Sequence, residues 1–389
     1  VKYCQLIFTV IFYLSGITVL AQTEETKLPW LELNGYIKDM QSTYFIKGLD
    51  ENVSANLIHN RLNFKFNIAP KISGRMEIRN RIFIGELIQQ YPNFGKTINQ
   101  YEGIFDLSYL WIDEESVVAQ SVIDRLLLQY SDEKWDITIG RQRINWGINN
   151  VWNPNDIFNA FNYLDFDYEE RPGSDAIRFQ RNLNDNSSCE LAYKPGENNE
   201  EHTAGFLYKY NKWKYDLQFL VGIYHTDYVI GAGWAGSIKE TGFKGEMSYF
   251  IPQKNTLEPS ETFNFSVMAD RTFKNDWYVS LTGLFNSNPT NVFAVNGSFS
   301  NSNITAKFLF PFRYNFHVAV MKTITPITSF NFSFVYSPEK NTLILLPTYA
   351  WNVSTNLDLD FITQSYFAEQ ANSYQNLITE IHIRGRWSF

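Results

Sequence analysis

The sequence predicts an all-β fold, a closed antiparallel transmembrane β-barrel of about 18 strands. Three observations predict it. Aromatic residues make up 17% of a chain that is only 44% hydrophobic. Apolar and polar side chains alternate with period two over long stretches, the pattern of strands whose successive side chains point to opposite faces. Beyond the N-terminal apolar run, no stretch of apolar residues is long enough for a spanning helix.

The N-terminus reads as a secretory leader. Lys2 gives a positive start, Leu6 to Leu20 is almost wholly apolar, and Ala21 offers the small residue at a cleavage point. Residues 1–21 are therefore expected to be a signal peptide, and residues 22–389 a single barrel domain. Cys4 lies inside the leader, too early for lipid attachment. Cys189 is then alone, forms no intrachain disulfide, and reads as a small filler beside Leu191 and Tyr193.

Alternation carries the strands. Leu62, Phe64, Phe66 and Ile68 alternate with Arg61, Asn63, Lys65 and Asn67. Trp213, Tyr215, Leu217, Phe219, Val221 and Ile223 alternate with Lys214, Asp216 and Gln218. Phe263, Phe265 and Val267, then Phe330, Phe332 and Phe334, repeat the pattern. The predicted strands are 35–46, 56–69, 71–84, 122–131, 134–143, 173–182, 187–195, 202–211, 213–224, 228–236, 241–250, 261–273, 276–286, 313–323, 327–337, 341–351, 355–366 and 376–389. Short connections between them (Ala69–Lys71, Ser131–Lys134, Asn182–Ser187, Asn211–Lys212, Gly236–Thr241, Phe273–Asp276, Thr323–Ile327 and Asn352–Thr355) mark one end of the barrel. Long outer loops are expected near 85–121, 144–172 and 287–312. Residues 104–112 and 302–312 look strand-like, but parity places them in outer excursions; sixteen or twenty strands stay open as counts.

A soluble sandwich would alternate too. These strands are longer than the usual five or six residues, near the length a tilted strand needs to cross a bilayer. The tryptophans also sort by position: Trp135, Trp213 and Trp277 begin strands after tight turns, Trp351 ends one, and Trp387 lies near the C-terminus. An aromatic girdle at one interface predicts that placement. The last strand alternates Ile381, Ile383, Trp387 and the terminal Phe389 with His382, Arg384, Arg386 and Ser388. It resembles the segment by which barrel-assembly machinery recognises outer-membrane proteins. Expected partners are that machinery, outer-membrane lipid of a Gram-negative cell, and small solutes. A protein partner or a homo-oligomer is a further option.

If the apolar parity faces lipid, the polar parity faces a lumen. That places Arg61, Lys65, Arg75, Arg79, Arg81, Arg125, Arg178, Arg384 and Arg386 inside, on strands that meet where the barrel closes. The acids Asp216, Glu246, Asp270, Asp358 and Asp360 are expected opposite or further round. The reading is a water-filled channel with a basic wall selecting by charge. The competing reading pairs each arginine with a nearby acid such as Glu77.

Residues 139–173 are the most distinctive. Arg141 shares register with the outward Ile137 and Ile139. An arginine in lipid costs about 2–4 kcal/mol, so a bulge at Gly140 is expected to turn it inward, or the strand leaves the hydrocarbon there. Arg141 and Arg143 join the lumen candidates. The following stretch, rich in Asn, Asp, Pro and aromatics, is expected to fold inward as a constriction, with Asp165, Asp167, Glu169 and Glu170 facing the arginines. The alternative is a surface loop tied by Asx turns. The acidic spacing lacks a calcium-loop pattern, so no metal or other cofactor is expected.

Three groups of residues carry a resemblance. They are Asp124-Arg125-Leu126, the run from Gly140 to Gly147 (GRQRINWG), and the run from Asn153 to Asn159 (NPNDIFN), followed by Asp165-Phe166-Asp167 and Arg171-Pro172-Gly173. In this region the chain resembles porin-like outer-membrane barrels of Bacteroidota and related Gram-negative bacteria. The resemblance implies barrel and location, not cargo. An enzyme would need an acid–base pair or nucleophile at the rim. None of His59, His202, His225, His317 and His382 stands in such an arrangement, so no catalytic residue is assigned. A net charge of −8, with no basic arm, argues against nucleic acid. The runner-up function is an adhesion or scaffold barrel, or a subunit of a larger envelope complex, with Tyr91–Tyr101 a loop suited to partners.

Overall fold

A computed structural model describes residues 29–99, 103–160, 162–167, 170–198, 200–253, 260–290, 304–370 and 373–389. The expected signal peptide and Glu169 lie outside these. The strands are β1 (Leu31–Ile46), β2 (Val53–Ala69), β3 (Ile72–Gly85), β4 (Ser108–Glu114), β5 (Val117–Ser131), β6 (Trp135–Gln142) and β7 (Ser174–Asn184). They continue with β8 (Ser187–Lys194), β9 (Thr203–Lys212), β10 (Tyr215–Tyr224), β11 (Asp227–Ile238), β12 (Thr241–Pro252) and β13 (Thr262–Thr272). The last are β14 (Trp277–Asn286), β15 (Tyr314–Thr325), β16 (Thr328–Ser337), β17 (Thr342–Ser354), β18 (Leu357–Gln370) and β19 (Ser373–Ser388).

All but β4 pair in chain order, and β1 closes the ring on β19 from Tyr36↔Ser388 to Ile46↔Ile378. The result is a closed antiparallel barrel of eighteen strands. Closure leaves no wall strand with a free edge. Each predicted strand has its counterpart. The wall is uneven in height: β1 and β2 run 16 and 17 residues, whereas β6 and β8 run only 8.

The alternation behaves as chemistry requires. One parity forms an exposed apolar belt, with Leu128, Ile139, Phe219, Leu281 and Ile383 each near half exposed. The other parity turns inward and is polar or charged on most strands. Among the described residues, no helix is long and apolar enough to cross a membrane.

Four local expectations change. Trp213 does not begin a strand: the turn is Trp213–Lys214, both residues have positive φ (55° and 66°), and the strands resume at Tyr215. Two positive φ values are what a two-residue type I′ hairpin demands, even of a bulky residue. Residues 104–112 do form a strand in part. β4 adds to the upper edge of β5, where β6 has stopped short, and takes no place in the ring. The described end of the third long loop, 304–313, is not an outer excursion, because Ala306, Leu309, Phe310 and Phe312 are buried inside the barrel. Finally, neither ladder shifts register at Gly140: Arg141 still pairs with Leu126 and Asp175. Gly140 has φ +111°, and a Cβ there would lie 2.2 Å from the Leu126 carbonyl oxygen, so the glycine serves close strand approach rather than a bulge.

Candidate functional site: a segment threaded round the inner wall

At Gln142 the chain leaves the sheet and returns at Ser174. Most of what lies between is buried within the barrel, with Ile144, Trp146, Asn155, Asp156 and Ile157 at most 2% exposed. Its contacts run in sequence around the wall. Trp146 Nε1 donates to Glu190 on β8 (2.6 Å), and Gln218 on β10 donates to the Trp146 carbonyl (2.8 Å). Glu246 on β12, fully buried, accepts three backbone N–H groups: Ile148 and Asn149 on one oxygen (2.7 Å each) and Asn155 on the other (3.1 Å). No cation is needed, because converging amides hold a carboxylate as a nest holds an anion. Asn155 also donates to the Ala232 carbonyl on β11, and Ser248 Oγ donates to the Pro154 carbonyl.

Small residues make the seat. A Cβ on Gly205, Gly231 or Gly233 would approach atoms of Trp146, Asn155 or Ile148 to 2.4–2.6 Å. The apolar part then packs in two clusters. Trp146 meets Phe158 edge-on (4.8 Å), and Trp152 meets Phe310 (5.7 Å), so the inward end of the third loop props this segment. Tyr163 lies edge-on to His317 (4.7 Å), and Gln364 on β18 donates to the Leu164 carbonyl.

From Asp165 the character changes. Asp167 accepts from Lys38 Nζ (2.9 Å), lies 3.3 Å from His59 Nδ1, and faces Arg384 at 3.8 Å. Glu170 accepts from the Tyr36 hydroxyl (2.6 Å) and lies 3.8 Å from Arg61 Nε. Arg125 donates to the carbonyls of Glu170 and Arg171. Burial alone would raise the Asp167 carboxyl. The bond from His59 and the Lys38 charge outweigh it and hold the group below the ordinary carboxylate range. Glu170 is likewise lowered: its bond from Tyr36 and the Arg61 charge overcome burial. Asp156 goes the other way. Burial outweighs the charges of Arg171 and Arg143 and pushes it up to about 7.

The expected lumen cations divide by partner. Arg61 bridges Asp124 and Glu77, at 2.6 Å each, and Arg79 lies 3.3 Å from Asp124. Arg384 meets Asp360 at 2.8 Å, and Arg178 meets Asp136 and Glu190. Arg81 donates to Gln120. Lys65 pairs with Glu32 and Arg75 lies near Glu77, yet both stay some 40–48% exposed. Arg386 lies over the Tyr36 ring (4.4 Å). Arg141 is 3% exposed, held by Asp175 (2.8 Å) and the carbonyls of Ile123 and Phe105, so pairing hides it where a bulge was expected to turn it. Arg143 is half-buried, and its charge acts on Asp156. Of the acids expected opposite, Asp358 and Asp360 sit directly across from Arg386 and Arg384, because β18 and β19 are one hairpin.

Sequence reading gave no site role to Lys38, His59, Glu190 and Gln218, and gave Asp124 only as part of the resemblance. A signal was present for the seat: two glycines in Ile230-Gly231-Ala232-Gly233, mid-strand, announce close approach of another backbone.

No protein-family model matches the chain, and no curated protein does. Solved structures do. OccAB4 of Acinetobacter baumannii is 10% identical with a TM-score of 0.59, covering 94% of this chain and 100% of its own. OpdQ of Pseudomonas aeruginosa is 6% identical with a TM-score of 0.58, covering 93% and 99%. OccAB1 of A. baumannii is 9% identical with a TM-score of 0.59, covering 92% and 96%. These neighbours are outer-membrane porins, non-enzymatic channels. At such identities the likeness is one of fold: this chain shares their closed antiparallel barrel.

Proposed function

We propose that this protein is an outer-membrane channel for passive diffusion of small hydrophilic solutes or ions, in which residues 143–173 narrow the passage. Three things support the location: the apolar belt, the aromatic ring at the short-turn end, and the resemblance to porin-like barrels of Bacteroidota. One observation carries the constriction. The segment is fastened from β8 right round to β2 and β5, from Trp146–Glu190 to Arg125–Arg171, so it takes up room inside the barrel along most of the ring. The buried arginines (Arg61, Arg79, Arg125 and Arg141) act as fasteners. Lys65, Arg75, Arg81, Arg143, Arg178, Arg384 and Arg386 remain the selectivity candidates, with Asp165, Asp167, Glu169 and Glu170 on the segment. No catalytic role is proposed.

Conductance of single barrels in planar bilayers tests this. Glu246→Gln keeps the shape but can no longer accept all three N–H groups, which costs about 1–3 kcal/mol. The segment should loosen, and conductance should rise or fluctuate. Arg75→Ala should shift the reversal potential toward cations. A wild-type barrel that inserts and does not conduct sinks the channel reading. It would favour a plugged scaffold barrel, a reading that the apolar clusters inside the lumen support.

A further inference from the structure

One ion pair lies on the outer face of the wall. On β6 the inward positions Thr138 and Gln142 are buried, and Ile137, Ile139 and Arg141 alternate with them, so Arg141 points outward. On β7 Asp175 shares the outward parity of Ile177 and Phe179, and it sits directly across from Arg141. Arg141 Nε donates to Asp175 Oδ1 (2.8 Å), and Nη2 donates to Oδ2 (3.0 Å). Ile139 and Ile177, the adjoining outward positions on the two strands, belong to the exposed apolar belt. Trp135, at the short-turn end of β6, is six residues from Arg141. At a rise of about 3.3 Å per residue and a tilt of about 40°, the pair stands roughly 15 Å above that end, within an apolar band about 25 Å tall.

Yet both side chains are buried. Their cover comes from the chain just before β4. Phe105 N–H donates to Asp175 Oδ2 (3.3 Å), and Arg141 Nη2 donates to the Phe105 carbonyl (2.5 Å). From there β4 runs along Val117–Val122 of β5, whereas β6 pairs with Leu126–Ser131. The segment therefore continues the wall beyond the end of β6. Those bonds use the Phe105 backbone and leave its side chain 62% exposed, and Ile104, Tyr109, Trp111 and Ile112 are exposed with it. Tyr109 sits across from Ser121, which alternates with the buried, inward Gln120, so Tyr109 faces outward. Asp106 is the one acid in 104–112, and it accepts from the N–H and hydroxyl of Ser108 (2.9 and 2.6 Å).

Given the membrane reading proposed above, we infer that residues 104–112 are a lipid-facing piece of the wall, with Ile104, Phe105, Tyr109 and Trp111 docked on acyl chains of the outer leaflet. Two observations choose that occupant. The patch is continuous with the belt, because Phe105 is bonded to Arg141 and Asp175, and Ile139 and Ile177 adjoin those two on the same face. The strand is also poorly made to receive a strand of another chain. β4 has only seven residues and a register shift between Leu110 and Ile112, and short, bulged edges resist pairing. Tyr109 and Trp111 are of the types that settle where acyl chains meet headgroups. The segment thus parts the ion pair from lipid, which offers it no hydrogen-bond partner.

The test is nitroxide accessibility in phosphatidylcholine vesicles. It reads the ratio of collisions with oxygen, which concentrates among acyl chains, to collisions with a water-soluble nickel chelate. Labels go on Phe105→Cys and Tyr109→Cys of the mature chain in a Cys189→Ala background. Ile139→Cys is the belt reference, and Glu51→Cys, exposed in the turn after β1, is the water reference. Both sites should match Ile139 and exceed Glu51 severalfold. A ratio nearer Glu51 than Ile139 at either site overturns the inference, because the segment then stands in water. Low collision with both reagents overturns it too, because protein then covers the patch. Tyr109 is 70% exposed, so Tyr109→Cys decides alone should the Phe105 variant not fold. A water-level ratio at Ile139 itself defeats the membrane reading instead, an outcome distinct from the others.

Discussion

The two halves of the threaded segment are held by different physics. Residues 144–160 and 162–164 sit mostly against the shorter strands through aromatic packing, glycine seats and hydrogen bonds, with the carboxyl groups of Glu190 and Glu246 as anchors. Residues 165–167 and 170–171 sit against the tall wall of β18, β19, β1, β2, β3 and β5 through two runs of charges: Asp360, Arg384, Asp167 and Lys38, then Glu170, Arg61, Asp124 and Arg79. The difference matters because the two respond differently to damage. Packing degrades by degrees, each lost methylene adding to the last. A buried charge network stands only while every member has its partner. The ionic half is therefore the more sharply defined in geometry, and the apolar half the more tolerant.

The largest expected effect follows directly. Asp124 is 3% exposed and lies between Arg61 and Arg79. Asp124→Ala leaves two guanidiniums without their shared carboxylate, and breaking such a buried pair costs about 3–5 kcal/mol. Urea unfolding of the barrel in lipid vesicles should show a loss of that size. Adding Arg79→Met should recover part of it, since Arg61 keeps Glu77 and the second guanidinium facing the lost carboxylate is then gone. A loss under about 1 kcal/mol would mean that water reaches these groups and that the two halves do not differ as described.

What the sequence made legible follows the same division. Strand parity is a local property, so the belt, the ring and the eight tight turns could be read from alternation and turn residues. The inward course of the stretch between β6 and β7 was also foreshadowed, because a loop of that length without strand or helix pattern is usually functional, although its Asn and Pro residues fitted surface turns as well. Which strand meets which part of it is a long-range matter. Trp146 reaches Glu190, 44 positions away, and Lys38 reaches Asp167, 129 positions away, with no period linking them. Arg61 gave the parity of a lumen residue and no hint that Asp124 would neutralise it. Asp124 shares its inward direction with Arg125 only through a register shift between β3 and β5, and alternation cannot show that.

Acidity should separate the halves in opposite directions. Asp167 and Glu170 bind their protons less readily folded than unfolded, so the unfolded chain holds more protons as pH falls. Their contribution is complete above the ordinary carboxylate values and lost as pH drops below them. Asp156, with its carboxyl raised from 3.8 to about 7, behaves inversely. Below 3.8 both states hold the proton. Between there and about 7 the unfolded chain has released it while the folded one keeps it, so stability declines as pH rises. Amide exchange at pH 3, 5 and 7.5 should show protection of 165–171 falling toward acid and protection near 156 falling toward neutral. Asp156→Asn should flatten only the second trend. If both stretches lose protection together, the segment opens as one unit.

The smallest expected effect isolates the contrast best, because the same atom is removed from each half. Tyr36 donates its hydroxyl to a Glu170 oxygen at 2.6 Å, a charge-assisted bond in the ionic half. Tyr163 reaches Ser333 Oγ at 3.4 Å, a long bond between neutral groups, and its ring is held by His317 and the apolar cluster. Tyr36→Phe should cost about 1.5–3 kcal/mol, as bonds to charged groups do, and Tyr163→Phe about 0.5 kcal/mol. Both rings remain, so neither variant opens a cavity and the gap between them measures charge assistance alone. Equal losses would show that the ionic half draws its hold from packing as the apolar half does. In that case the buried charges would serve to fix where the segment lies rather than how firmly it is held.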